Sequence, residues 1–130
     1  MKRASLFVSV FLLFVGTIFI YGCGSNLPQW RGRAGEVGPK FVEEGVEFSI
    51  YAPNAKKVTI AGDFNGWSKV ADPLSDRDGD GIWKIIIPLK PGRYEYKFVV
   101  DDRWIADPSN PKMVDDGFGG KNSVIVVGKR

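Results

Sequence analysis

The sequence predicts an all-β sandwich. From about Phe41 onward, apolar and polar residues alternate in short runs. Gly, Pro, Asn and Asp punctuate the runs, and nothing past the N-terminal leader keeps a helical period. Many short strands at such spacing argue for two packed sheets. In the first run Val46, Phe48 and Ile50 alternate with Glu47, Ser49 and Tyr51, the pattern of a half-buried strand. Pro53-Asn54 marks a turn, and Lys56–Ala61 is a second strand with Val58 and Ile60 on one side. Ile82–Ile87 is β-branched and nearly continuous, which predicts a strand buried on both faces, with Trp83 in the core beside Ile85 and Ile87. Next, Tyr94, Tyr96, Phe98 and Val100 form one face of a strand, and Arg93, Glu95, Lys97 and Val99 the other. Asp101-Asp102 is a tight turn into Arg103–Ala106, and Asn122–Val127 is the last strand.

The front of the chain reads differently. Met1-Lys2-Arg3 is basic, and Leu6–Tyr21 is almost unbroken apolar sequence before Gly22 and Cys23. A basic start, an apolar stretch and a small residue at the cut make a secretory signal. The run falls short of the roughly 20 apolar residues that a membrane span needs. Cys23 is the only cysteine, so the chain has no internal disulfide. Ile20-Tyr21-Gly22-Cys23 resembles the bacterial lipobox, and the resemblance implies that Cys23 is lipidated and becomes the mature N-terminus. The alternative is an uncleaved anchor helix with an unmodified thiol. Under either, the expectation is a domain tethered in a bacterial cell envelope, facing the periplasm or the exterior. Residues 24–40 hold Pro28, Gly32, Gly35, Gly38 and Pro39 and read as a flexible spacer, in which Trp30 is a stray aromatic or packs on the domain edge. The expected organisation is a signal over 1–22, a lipidated Cys23 with its spacer over 23–40, and the sandwich over 41–130.

Charge and composition exclude several classes. The net charge is +3, and without Lys2 and Arg3 of the signal it is 16 basic against 15 acidic side chains. That balance gives no electrostatic case for nucleic acid. There is no histidine, which excludes imidazole acid–base catalysis and histidine metal ligation. Asp76-Arg77-Asp78-Gly79-Asp80-Gly81 begins like a calcium loop. Its twelfth position is Ile87 rather than a bidentate glutamate and no helices flank it, so a glycine-rich hairpin turn is expected and no metal.

Two stretches carry the functional signal. Ala61-Gly62-Asp63-Phe64-Asn65-Gly66-Trp67 and Tyr94-Glu95-Tyr96-Lys97-Phe98-Val99-Val100-Asp101-Asp102-Arg103-Trp104 set two tryptophans on turns that close strands, with a lysine inside one strand. A glucose ring has an apolar face and a rim of hydroxyls. Aromatic plates suit the first, and convergent donors and acceptors suit the second. Together with Pro53–Val58, Gly92-Arg93, Asp107-Pro108 and Asn122-Ser123-Val124, these residues resemble carbohydrate-binding module family 48 over residues 41–130. That family includes the glycogen-binding domain of the AMP-activated kinase β subunit and the early-set domain of isoamylases and branching enzymes.

The resemblance implies an immunoglobulin-like early-set fold and glucan contacts at Trp67, Trp104, Lys97 and Asn122. Phe118, in a glycine-rich loop where some relatives carry an aliphatic residue, extends the platform. Each residue also has a plainer reading. Trp67 could be a plug at the sandwich end, Trp104 an edge residue, Lys97 a solvated face and Asn122 a loop hydrogen bonder. Their convergence favours a ligand surface. The first expectation is therefore a non-catalytic module for α-1,4-linked glucan (glycogen, starch or maltodextrin), with no cofactor. The alternative is a structural or protein-interaction domain that serves a separate glycoside hydrolase or envelope protein and binds no sugar itself. Hydrolysis would need two carboxylates at a set separation, and the aspartates here fall mostly on turns.

Overall fold

The computed structural model describes residues 37–129. The predicted signal, Cys23, Trp30 and most of the spacer lie outside those residues. The strands in order are β1 (Lys40–Val42), β2 (Gly45–Tyr51), β3 (Val58–Gly62), β4 (Ile82–Ile87), β5 (Gly92–Val100), β6 (Arg103–Ile105), β7 (Met113–Asp115) and β8 (Lys121–Val127). A 3₁₀ turn over Asp63–Asn65 follows β3, and no α-helix occurs among the described residues. The fold is all-β, as the alternation predicts. One sheet runs β1-β2-β4 and the other β3-β5-β8-β7, all antiparallel. β6 shares an edge of β5 with β8: β6 pairs Phe98–Val100, and β8 pairs Gly92–Tyr96.

The core forms where the two inner faces meet. Val46, Phe48 and Ile50 of β2 pack against Val58 and Ile60 of β3, Tyr96, Phe98 and Val100 of β5, and Ile125 of β8. The Phe48 and Tyr96 rings meet edge to face at 4.8 Å, and Tyr96 meets Phe98 at 6.0 Å. β5 follows the predicted alternation, with the aromatic stripe inward and Glu95 and Lys97 on the other face. At its end Asp101 and Asp102 both take left-handed backbone, φ 46° and 67°, which a two-residue hairpin demands and aspartate tolerates. The Asp101 carboxylate accepts from the N–H of Lys56 and of Lys57, both at 2.9 Å, and so ties this hairpin to the turn before β3.

Beneath the β5–β8 pair lies a buried polar cluster. The Tyr96 hydroxyl donates to Asp107 Oδ2 at 2.7 Å, and Asn110 Nδ2 donates to the same hydroxyl and to Val124 O. Ser109 N–H fills Asp107 Oδ1, while Asp107 N–H donates to Ser123 Oγ. Burial raises the Asp107 carboxyl above its ordinary value, opposed by the hydrogen bonds from Tyr96 and Ser109.

Three expectations are corrected. β4 is not buried on both faces: Lys84 and Ile86 point outward, and Ile86 is 44% exposed. The strand lies at the end of its sheet; Trp83, Ile85 and Ile87 pack against the core cluster, Ile82 is buried at the start of the strand, and Trp83 also donates Nε1–H to Ala52 O. Ser49, on the face expected to be half open, is fully buried, and its hydroxyl is satisfied there by the Gly38 N–H. β1 and β7 were not foreseen. In the acidic loop the carboxylates of Asp76, Asp78 and Asp80 come within 4.8 Å of one another. Asp76 and Asp80 accept from the Gly81 and Ile82 N–H groups, and the reciprocal backbone hydrogen bonds between Ser75 and Lys84 close the loop as a hairpin.

Candidate functional site

The outer face of the larger sheet carries an open depression of about 600 Å³. Its lining contains all five predicted residues, Trp67, Lys97, Trp104, Phe118 and Asn122, together with Asp63, Glu95, Asp115 and Asp116. The strand register explains the convergence. Lys97 lies opposite Ala61, Val99 opposite Trp104, and Tyr96 opposite Ser123, which places Asn122 beside Lys97 on the outer face.

Trp67 is held by the loop that follows β3. Gly62 packs so closely on β5 that an added Cβ would sit 2.6 Å from Glu95 O and 2.9 Å from Tyr96 Cβ. Asn65 then organises the turn. Its Oδ1 accepts from Gly62 and Ser68 N–H, and its Nδ2 donates to Ile60 O and Asp72 Oδ2. Gly66 and Trp67 follow in left-handed backbone, φ 64° and 59°. For a bulky residue this is an outlier that costs energy and persists only where the surroundings over-determine it. The indole is half-buried, and its Nε1–H donates to Asp63 Oδ1 at 3.1 Å. Asp63 Oδ2 accepts from Glu95 N–H and fastens the loop to β5. Asn65→Ala should lower stability by about 2 kcal/mol, since buried groups lose partners. It should also broaden the Trp67 indole signal in an NMR spectrum; an unchanged indole resonance would show that Asn65 does not position the ring.

Trp104 projects from β6, 44% exposed, and Phe118 is 96% exposed at the tip of the β7–β8 loop. That loop is nevertheless tied down. Asp116 Oδ1 accepts from Phe118 and Gly120 N–H at 2.7 and 3.0 Å, and Asp116 N–H donates to Gly120 O. Asp116 Oδ2 takes Lys97 Nζ at 2.7 Å. The Lys97 ammonium, with the two loop N–H groups, holds the Asp116 carboxyl down to about 2, so Asp116 is a carboxylate at neutral pH. Asn122 Nδ2 donates to Glu95 Oε1 at 3.3 Å, and Glu95 Oε2 takes Arg93.

Lys97 thus gives one of its three N–H donors to Asp116. Asp63, Glu95, Asp115 and Asp116 were missed as site residues. Two signals were available: Glu95 alternates onto the Lys97 face, and Asp116 before Gly117-Phe118-Gly119-Gly120 is the start of an Asx turn. A second depression of about 520 Å³, at the β1–β2 and β4–β5 turns, is lined by Phe41, Val46, Pro88 and Leu89 among others. It gathers no comparable set of aromatic plates and interlocked polar groups.

A sandwich that presents aromatic plates and polar groups on one open sheet has the architecture of a binding module. Residues 36–113 match the family described as carbohydrate-binding module 48 (isoamylase N-terminal domain), and the chain belongs to that family. Among its relatives, the 1,4-alpha-glucan branching enzyme GlgB of Cupriavidus pinatubonensis is 35% identical over 89 residues, 64% of this chain and 11% of the enzyme. The protein of the same name from Corynebacterium jeikeium is 35% identical over 82 residues, 63% of this chain and 11% of that enzyme. The Rhizobium johnstonii 1,4-alpha-glucan branching enzyme GlgB 2 is 44% identical over 59 residues, 45% of this chain and 8% of the enzyme. The chain thus spans about a tenth of the length of these relatives.

Proposed function

We propose that this chain is a non-catalytic α-1,4-glucan-binding module that stacks glucose rings on Trp67 and Trp104, with Phe118 as a third plate. One observation carries the reading: residues from the β3 loop, β5, β6, the β7–β8 loop and β8 converge on a single open depression. Apolar ring faces meet the aromatic side chains, and hydroxyls meet Asn122, Glu95 and the Lys97–Asp116 pair. The relatives' name, 1,4-alpha-glucan branching enzyme, supports this choice of polymer. An open surface suits a long chain, bound weakly per ring and more strongly when several copies meet one polymer. The test is electrophoresis of the protein in gels with and without amylopectin. Retardation by the polymer supports the reading. Mobility unchanged by amylopectin, glycogen and maltodextrin would sink it in favour of a protein partner, and release of reducing ends would show catalysis.

The same reading places the module in a bacterial cell envelope, lipid-anchored through Cys23, on the strength of the apolar leader and the lone cysteine. Acyl chains at Cys23 would give stable anchoring where one chain alone is marginal. Mass spectrometry of the protein from membranes should find Cys23 acylated at the new N-terminus. A full-length chain with a free thiol would refute the anchor.

A further inference from the structure

The charges around the depression are committed in pairs. Its lining holds four carboxylates, Asp63, Glu95, Asp115 and Asp116, against one cation, Lys97. Lys97 is paired with Asp116, with the two side chains only 14% and 12% exposed. The flanking cations Arg93 and Lys121 are engaged by Glu95 and Asp115. A phosphate, sulfate or carboxylate on a polymer is recognised by free guanidinium or ammonium groups, or by backbone N–H groups turned toward it. In the glycine loop the N–H groups of Phe118 and Gly120 already donate to Asp116. One carboxylate thus pairs the lysine's charge and takes the Phe118 and Gly120 N–H groups with which an anionic group would be met.

We infer that the site selects glucan chains free of anionic substituents, and that Asp116 is the residue that sets this selectivity. The inference rests on the glucan-binding reading above. A phosphorylated glucose seated on the aromatic plates would meet four carboxylates and one cation, and that cation is already paired with Asp116. Like charges brought together disfavour the wrong partner without improving the right one.

The test compares dissociation constants for amylopectin and for the same amylopectin phosphorylated chemically, in about 0.01 M and about 1 M salt. Charges are felt over about 30 Å in the first and about 3 Å in the second. The phosphorylated polymer should bind about fivefold more weakly at low salt, with the gap closing at high salt. Asp116→Asn should narrow the low-salt gap more than Asp115→Asn does, because each removes one charge and frees one lysine, but only Lys97 lies in the lining while Lys121 flanks it. Equal or tighter binding of the phosphorylated polymer at low salt overturns the selectivity. Equal narrowing by the two variants overturns the assignment to Asp116. Failure to bind either polymer overturns the glucan reading itself, and the selectivity with it.

Discussion

Trp67→Gly and Trp104→Ala should each weaken amylopectin binding by about thirtyfold, the loss expected when a central tryptophan of an interface is truncated by roughly 2 kcal/mol. Combined, they should abolish retardation in the gel. Glycine is chosen at position 67 for a physical reason. Trp67 has φ 59°, a conformation glycine adopts freely and alanine does not. The variant therefore removes the ring while relieving the backbone, so lost binding cannot be assigned to a strained loop. Trp104 is 44% exposed, and its removal empties little of the core. Thermal unfolding followed by circular dichroism should show both variants folded. Undiminished retardation by the double variant would place the polymer on another surface.

Asp107→Ala should have the largest effect on stability. Asp107 is fully buried and joins Tyr96, Ser109 and Ser123. Alanine would leave the Tyr96 hydroxyl and the Ser109 N–H without their acceptor. Orphaned buried groups cost about 1–3 kcal/mol each, so a loss of about 3 kcal/mol is expected. For a domain of this size that lowers the melting midpoint by roughly 15 °C. The cluster ties Asp107 and Asn110 of the β6–β7 connection to β5 and β8, so its loss should loosen the β5–β8 pair beneath Asn122. A drop of less than about 1 kcal/mol in denaturant titration would show that water replaces the carboxylate.

The legible parts of the fold are those where one strand declares two faces by itself. β5 does so, because Tyr94, Tyr96 and Phe98 alternate with Glu95 and Lys97 over nine residues. β4 declares its sides weakly, since Lys84 alone interrupts the apolar run, and Ile86 shares the outward face of Lys84. β1 and β7, three residues each, are too short for alternation to register. Ser49 misleads in the other direction: it is buried, and its hydroxyl finds its partner in Gly38, eleven residues earlier. Within the site, Trp67, Trp104 and Lys97 show in the sequence as aromatic and basic residues at turns and on a strand face, while Asn122 and Phe118 are singled out by the resemblance to the family. The pairings do not show. Lys97 meets Asp116 across 19 residues, and Asp63 meets Glu95 across 32, so both follow from strand register rather than local pattern.

The two-faced character of β5 has a practical meaning. Tyr96 and Lys97 are adjacent in sequence, one in the core and one on the platform. A one-residue slip of this strand would turn every such pair over, exposing the ring and burying the charge. Polymer capture by the proposed platform would then double as a conformational proofread: a copy that holds glucan has its central strand in register with β3 and β8. In a library of variants displayed on a cell surface, washing over immobilised amylopectin would discard misfolded members and non-binders in a single step.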